Sequence, residues 1–402
     1  MRYRIRGRHA LAVLAVAALA LAASLTASAA RHAKPTGKPI VVGYSIAKTG
    51  VFSPYDLSLE NSGKIAMEEI NAKGGVLGRP ITLIDFDTKS DLNLSASGAK
   101  ELLARGADVI IGTSDYDYGG PAARTASQAG HLALGLAGDP LYGYHGIGPL
   151  AFNLYQGSNA EGAVMAEFAY AKGWRKPFVL TDHINSYPPT VTAWFKKRWK
   201  ELTGGNVAGE DIFQNSDPSI ATQISHMKGA NPDFVVVGSF PPGGATAIKQ
   251  IRAAGVTVPI LGDAAFDGSY WYSAIPNLSD FYLPVLANVD GKDPSPERTA
   301  FFKKYTKVTG KPPILGLYAT GGYSQIQVLA EGIKRAGSTD GAKVAKAIEG
   351  LRDFPTLMGP TFYSRPMCNI PQNRPFLVYQ VQKGVASFIE VHPPKHVPAY
   401  KC

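Results

Sequence analysis

The chain has 402 residues, enough for two or three domains, and its 45% hydrophobic and 18% charged content is that of a globular protein, which excludes a disordered chain. The formal charge is +10, but Arg2, Arg4, Arg6 and Arg8 stand at the very start and the other Lys and Arg are scattered. The densest basic cluster, Lys196, Lys197, Arg198 and Lys200, lies among Trp194, Phe195 and Trp199 and reads as a solvated helix face; no nucleic-acid partner is expected.

The arginines precede an uncharged run of Ala, Leu and Val over residues 10–30, and Ala27, Ser28 and Ala29 supply small residues for a peptidase. Basic start, apolar middle and small-residue end predict a secretory signal peptide over residues 1–30, cut after Ala29 or Ala30. An uncleaved anchor is the rival reading of the same run. No Cys stands directly after it, so lipidation is not expected, and the mature chain is predicted to be periplasmic or secreted. Its two cysteines, Cys368 and Cys402, could then close one disulfide over the C-terminal tail. The eight His show no close pairing on a helix, so neither metal nor cofactor is predicted.

After the leader, short β-type runs alternate with helical periodicity. Strands are predicted at residues 40–46, 81–86, 108–112 and 132–136. Between the first two, Leu59, Gly63, Ala66, Met67 and Ile70 share one helix face, which Gly74 and Gly75 terminate. Ala96, Ala99, Leu102 and Leu103 repeat the pattern before Gly106. A second set of strands is predicted at 177–181, 207–213, 234–238 and 258–262. The starts of the first set are 41, 27 and 24 residues apart and those of the second 30, 27 and 24. The prediction is an α/β protein with two Rossmann-like, doubly wound lobes of parallel strands covered on both faces. Beyond residue 284 come three helices, near 297–309, 318–335 and 342–349, and a strand pair at 376–382 and 385–391 turned by Lys383 and Gly384. This tail is too short for a third lobe and is expected to divide between the two.

In such sheets ligands sit beyond the carboxyl ends of the strands. That rule selects the loops at 49–56, 113–120, 138–144, 182–187, 239–244 and 263–271, which are rich in aromatic and Asp residues: stacking surfaces and hydrogen-bond acceptors. Gly119, Gly120 and Pro121 are read as opening a helix whose free N–H groups could take an anion. Asp182 and Asp263, at strand ends, serve equally as turn caps or as ligand contacts, and Tyr142 and Tyr144 equally as lobe surface or contact.

The chain also resembles a known family. Val41-Val42-Gly43-Tyr44-Ser45 with Thr49-Gly50, the block from Ala66 through Glu68-Glu69-Ile70-Asn71-Ala72-Lys73-Gly74-Gly75-Val76-Leu77-Gly78-Arg79-Pro80, Ile110-Ile111-Gly112, Gln250-Ile251-Arg252-Ala253-Ala254-Gly255 and Met358-Gly359-Pro360-Thr361-Phe362 are similar, in order, to the type I periplasmic binding proteins of branched-chain amino-acid type that feed ABC importers. The resemblance implies two lobes on a three-crossover hinge, residues 38–157 with 285–362 and residues 158–284 with 363–402. It implies a monomer that closes over a small molecule and docks on permease subunits, without catalysis. Tyr55, Tyr116 and Tyr187 match ligand-facing positions of the family. With the strand-end rule, the expected ligand set is Tyr55, Ser114, Asp115, Tyr116, Gly138, Asp139, Tyr187, Phe240, Asp263 and Phe266. Tyr318 falls near a family contact but is read as core.

The motif departs from the amino-acid binders of that family. Tyr116 and Asp139 stand where small hydroxyl residues would meet a ligand carboxylate, and the expected acidic residue near Ala264 is displaced to Asp263. An Asp would repel an α-carboxylate, so a solute other than leucine, isoleucine or valine is expected: larger, and aromatic or bearing hydroxyl, amide or cationic groups. Two other classes compete with this reading. Ser45-Ile46-Ala47-Lys48 and Lys48-Thr49-Gly50 imitate enzyme motifs but overlap and cannot face each other across a site; no P-loop, nucleophile elbow or dinucleotide fingerprint is present. A ligand-sensing receptor of the same fold remains open.

Overall fold

The computed structural model describes residues 34–363, 368–371, 374–398 and 400. The leader of residues 1–30 and Cys402 lie outside the described residues. Two separate sheets organise the chain. The first holds β1 (Ile40–Ile46), β2 (Ile81–Asp87), β3 (Val109–Gly112), β4 (Leu132–Gly135) and β5 (Ala151–Asn153) in the order β2-β1-β3-β4-β5, all parallel. The central strands are apolar and almost wholly buried, as expected where helices cover both faces.

The second sheet contains β6 (Pro177–Asp182), β7 (Gly209–Phe213), β8 (Phe234–Gly238), β9 (Ile260–Gly262) and β10 (Phe281–Val285). Their order, β7-β6-β8-β9-β10, repeats that of the first sheet, so the matched strand spacing reflects two copies of one topology. The hairpin β11 (Phe376–Gln382) and β12 (Val385–His392) extends it antiparallel from β10. Lys383 and Gly384 turn the hairpin with φ of 51° and 75°.

Helices fill the crossovers. On the first sheet these are α1 (Ser53–Ala72), α2 (Leu94–Ala104) and α3 (Tyr116–Gln128); with the second go α4 (Ser158–Ala171), α5 (Tyr187–Thr203), α6 (Ala221–Ala230) and α7 (Gly243–Ala253). The later helices α8 (Pro296–Thr309), α9 (Gly316–Ala336) and α10 (Gly341–Glu349) return to the first unit. There α9 packs along α1 so closely that a Cβ on Gly322 would lie 2.0 Å from the Leu59 carbonyl oxygen. The chain passes between units three times: from β5 to α4, from β10 to α8 and from α10 to β11. The first and third passages lie side by side. Arg374, buried, donates to the Leu154 carbonyl (2.6 Å), and its backbone N–H meets Gln156 Oε1 (2.9 Å).

Three expectations need correction. β5 and β10 were not predicted: β5 has three residues, and β10 carries Pro284, which a sheet strand tolerates here because the neighbouring β9 pairs only with Phe281 and Tyr282. The helix expected to open at Gly119 begins instead at Tyr116, capped by Asp115, with Pro121 in its interior. Gly119 donates its N–H to the Asp115 carbonyl, so that group is not available to an anion.

Candidate functional site

Both units point the carboxyl ends of their strands at one narrow cavity, which as it stands has room for about one water molecule. From the first unit, Phe52 and Tyr55 arrive on the turn after β1, Ser114 and Asp115 after β3, and Leu136 and Gly138 after β4, with Leu317 and Tyr318 at the start of α9. Tyr155 follows β5 at the first passage. From the second unit, Tyr187 opens α5 after β6, Phe240 follows β8, and Ala264 and Ala265 form a 3-10 turn after β9.

The rings form a connected wall. Tyr55 meets Tyr318 edge to face at 5.0 Å and Phe240 at 6.3 Å, and Phe52 lies 5.7 Å from Phe240. Phe240 therefore packs on aromatic residues of the opposite unit. Hydrogen bonds close the same gap: the Tyr55 hydroxyl donates to the Ala265 carbonyl (3.1 Å), Asn185 Nδ2 to Asp115 Oδ2 (2.9 Å) and the Ser186 N–H to Asp117 Oδ2 (2.6 Å). At the far edge Asp267 accepts from the Leu317 N–H (2.9 Å).

Buried carboxylates stand behind this wall. Asp56 accepts from the Ser114 N–H and hydroxyl, at 2.9 and 2.6 Å, and from the Ala47 N–H. Glu161 accepts from the Tyr155 and Tyr187 hydroxyls, 2.8 and 2.9 Å, and from the Ala264 N–H, 2.7 Å. Burial pushes Asp56 up to about 6 and Asp115 and Glu161 up to about 7, against the hydrogen bonds that favour their charged forms. Asp263 is raised well above the ordinary carboxylate range, by burial first and then by Glu161.

Of the expected ligand set, Tyr55, Ser114, Asp115, Gly138, Tyr187 and Phe240 line the cavity. The other four are placed elsewhere. Tyr116 turns along its own helix, where its hydroxyl accepts from Arg124 Nη1 (3.2 Å). Asp139 closes its own turn through the Leu141 N–H and meets Thr190 Oγ1 at 3.4 Å. Asp263 caps the turn at Ala265 and takes the Ser239 N–H, so it ties two loops together. Phe266 is fully buried against Trp271 and Phe281. Asp182 likewise binds loop groups, Asn215 Nδ2 and Ser239 Oγ, and Tyr142 is core, donating to the Leu134 carbonyl.

Sequence reasoning passed over Tyr155, Glu161, Leu136, Ala264, Ala265 and Leu317 and assigned Tyr318 to the core. Two signals were present. A β5 would have made Tyr155 a strand-end residue. Residues 158–171 are nearly apolar on every face, so the acids within them must be buried and partnered.

The sequence profile of the periplasmic binding protein family matches residues 39–386. The chain belongs to that family. It is 24% identical over 349 residues to a Leu/Ile/Val-binding protein homolog of Brucella melitensis, covering 86% of this chain and 91% of that protein. It is 24% identical over 301 residues to the leucine-, isoleucine-, valine-, threonine-, and alanine-binding protein of Pseudomonas aeruginosa, covering 75% and 79%. Its fold is that of the substrate binding protein LivJ of Streptococcus pneumoniae solved with isoleucine (TM-score 0.79, 20% identity, 89% of this chain and 100% of that one). It is also that of a solute binding protein of R. palustris solved with benzoate (TM-score 0.75, 19% identity, 89% and 97%). The fold class is therefore type I, two doubly wound α/β units on a three-stranded hinge.

Cys368 is disulfide-bonded. It anchors the third passage, where its carbonyl accepts from the Tyr144 N–H (2.8 Å).

Proposed function

We propose that this periplasmic binding protein is the extracytoplasmic substrate-binding component of an ABC importer. It captures a small organic solute of amino-acid-like, amide or aromatic chemistry between two lobes, residues 38–157 with 285–362 and residues 158–284 with 363–402. The observation that carries the reading is the shared wall: Phe52 and Tyr55 from one side and Phe240 from the other enclose a single cavity at the strand ends. A solute there touches both lobes, so binding favours the closed form over the open one. The closed form, a monomer, then docks on permease subunits. The protein carries out no chemistry on its cargo. The leader over residues 1–30 delivers it outside the cytoplasm.

The test is thermal unfolding of the mature chain with amino acids, aromatic acids, amides, polyamines and sugars. A solute at a hundred times its dissociation constant stabilises the fold by ~2.7 kcal/mol. A clear shift with one class supports the reading, and a flat profile across all classes counts against a solute-capturing role.

A further inference from the structure

We propose that the solute is an organic cation without a carboxylate, a primary amine or quaternary ammonium compound with a compact apolar body. This deepens the binding-protein reading and rests on it.

Three observations on the cavity wall converge. The first is its polarity: the wall carries one carboxyl group, that of Asp115, and, among the described residues, no Lys, Arg or His. The second is its rings. Phe52, Tyr55, Tyr155, Tyr187, Phe240 and Tyr318 surround the space, and aromatic faces attract cations, quaternary ammonium groups above all.

The third is the state of the donors. A carboxylate ligand needs N–H and O–H groups aimed at it. Here the Ser114 N–H and hydroxyl both donate to Asp56, the Ala264 N–H to Glu161, the Ala265 N–H to Asp263 and the Leu317 N–H to Asp267. The hydroxyls of Tyr55, Tyr155 and Tyr187 donate to the Ala265 carbonyl and to Glu161. Four of the five hydroxyls on the wall are thus spent inside the protein, with Tyr318 the fifth. Their oxygen lone pairs, with the Asp115 carboxylate, leave a cavity rich in acceptors. Asp115 is fixed on the wall by the Asp117 and Tyr118 N–H groups at one oxygen and by Asn185 at the other. An anion would find only the Gly138 and Tyr318 N–H groups and the Tyr318 hydroxyl uncommitted and would lie near Asp115; a cation meets rings and acceptors as they stand.

The experiment compares matched triads by calorimetry and thermal unfolding: leucine, isopentylamine and 4-methylpentanoate; and phenylalanine, phenethylamine and 3-phenylpropionate. Within each triad only the charged groups change. The amines are expected to bind at least tenfold more tightly than their zwitterionic and anionic counterparts. Asp115→Asn keeps a side-chain oxygen to cap α3 but turns an amide toward Asn185, so the readout is selectivity: the advantage of each amine over its matched acid is expected to shrink at least tenfold. Phe240→Leu, which removes a ring but no charge, should weaken amine binding. A zwitterion or acid that binds as tightly as its amine, or an Asp115→Asn variant that leaves the amine's advantage unchanged, overturns the cation class and leaves the binding-protein reading standing. Stabilisation by sugars or neutral amides alone does the same. No stabilisation by any probe overturns both.

Discussion

Gly138 and Tyr187, on opposite sides of the cleft, approach so closely that a Cβ on Gly138 would lie 2.1 Å from a ring carbon of Tyr187. The ring cannot swing away freely, because its hydroxyl is bonded to Glu161 and the side chain is buried. Gly138 therefore sets how far the cleft closes. Gly138→Ala should hold the lobes apart with each lobe's own core intact. The expected result is a larger radius of gyration in solution scattering, at least tenfold weaker solute binding and a small change in melting temperature. A variant as compact as the parent would refute this.

The Tyr55 hydroxyl supplies a second cross-cleft link, and Tyr55→Phe keeps the ring while removing the bond to the Ala265 carbonyl. A net hydrogen bond is worth ~1 kcal/mol. Solute affinity should fall by about fivefold, with the change read by calorimetry and the secondary structure unaltered in circular dichroism.

Glu161 joins three parts of the cavity wall, through Tyr155, Tyr187 and Ala264. Glu161→Gln retains the shape but has one acceptor oxygen for three donors, so at least one buried donor loses its partner. The cost should be about 1–3 kcal/mol in denaturant unfolding, with weaker solute binding alongside. An unchanged midpoint would show that the three donors find other acceptors.

Stability should fall as pH rises from 5 to 8. Asp56, Asp115, Glu161 and Asp267 are raised by burial to about 6, 7, 7 and 8. In the unfolded chain the same groups titrate near 3.8 for Asp and 4.5 for Glu. A group raised on folding adds stability that is full below its unfolded pKa and lost as pH climbs through its folded one. Over this window the folded protein binds more protons than the unfolded chain. Asp87, which is lowered, acts in the opposite sense only as pH falls toward its ordinary value. Melting temperature measured from pH 4 to 9 should therefore be highest at the acid end of that range and fall steadily to about pH 8. A peak at 8 would mean that these carboxylates are ionised in the fold without penalty.

Mass spectrometry after alkylation without reduction should find no free thiol in the native chain. Cys368→Ser should expose one on Cys402 and cost about 2–4 kcal/mol. A variant with no new thiol would show that Cys402 is bonded to a second molecule.

The amino-acid sequence by itself determined the two-unit α/β plan. Apolar strand runs and helix periodicity are local properties, and the equal spacings of 27 and 24 residues after the second strand of each set mark a repeated topology. The strand-end rule selected the loops that carry Tyr55, Ser114, Asp115, Gly138, Tyr187 and Phe240, and the family resemblance pointed to Tyr55 and Tyr187 within them, without knowledge of how the units meet. Tertiary structure decided the direction of each side chain. Tyr116 and Asp115 are neighbours in the chain, yet Asp115 caps α3 and faces the cavity while Tyr116 turns back toward Arg124. Asp263, at a strand end, read equally as turn cap or ligand contact, and the Ser239 N–H on the adjacent strand end and the Ala265 N–H claim it. Glu161 became part of the site because the first passage places α4 beneath the cavity, so that hydroxyls from two segments converge on one carboxylate. Such convergence depends on the packing of distant elements, which no local pattern encodes.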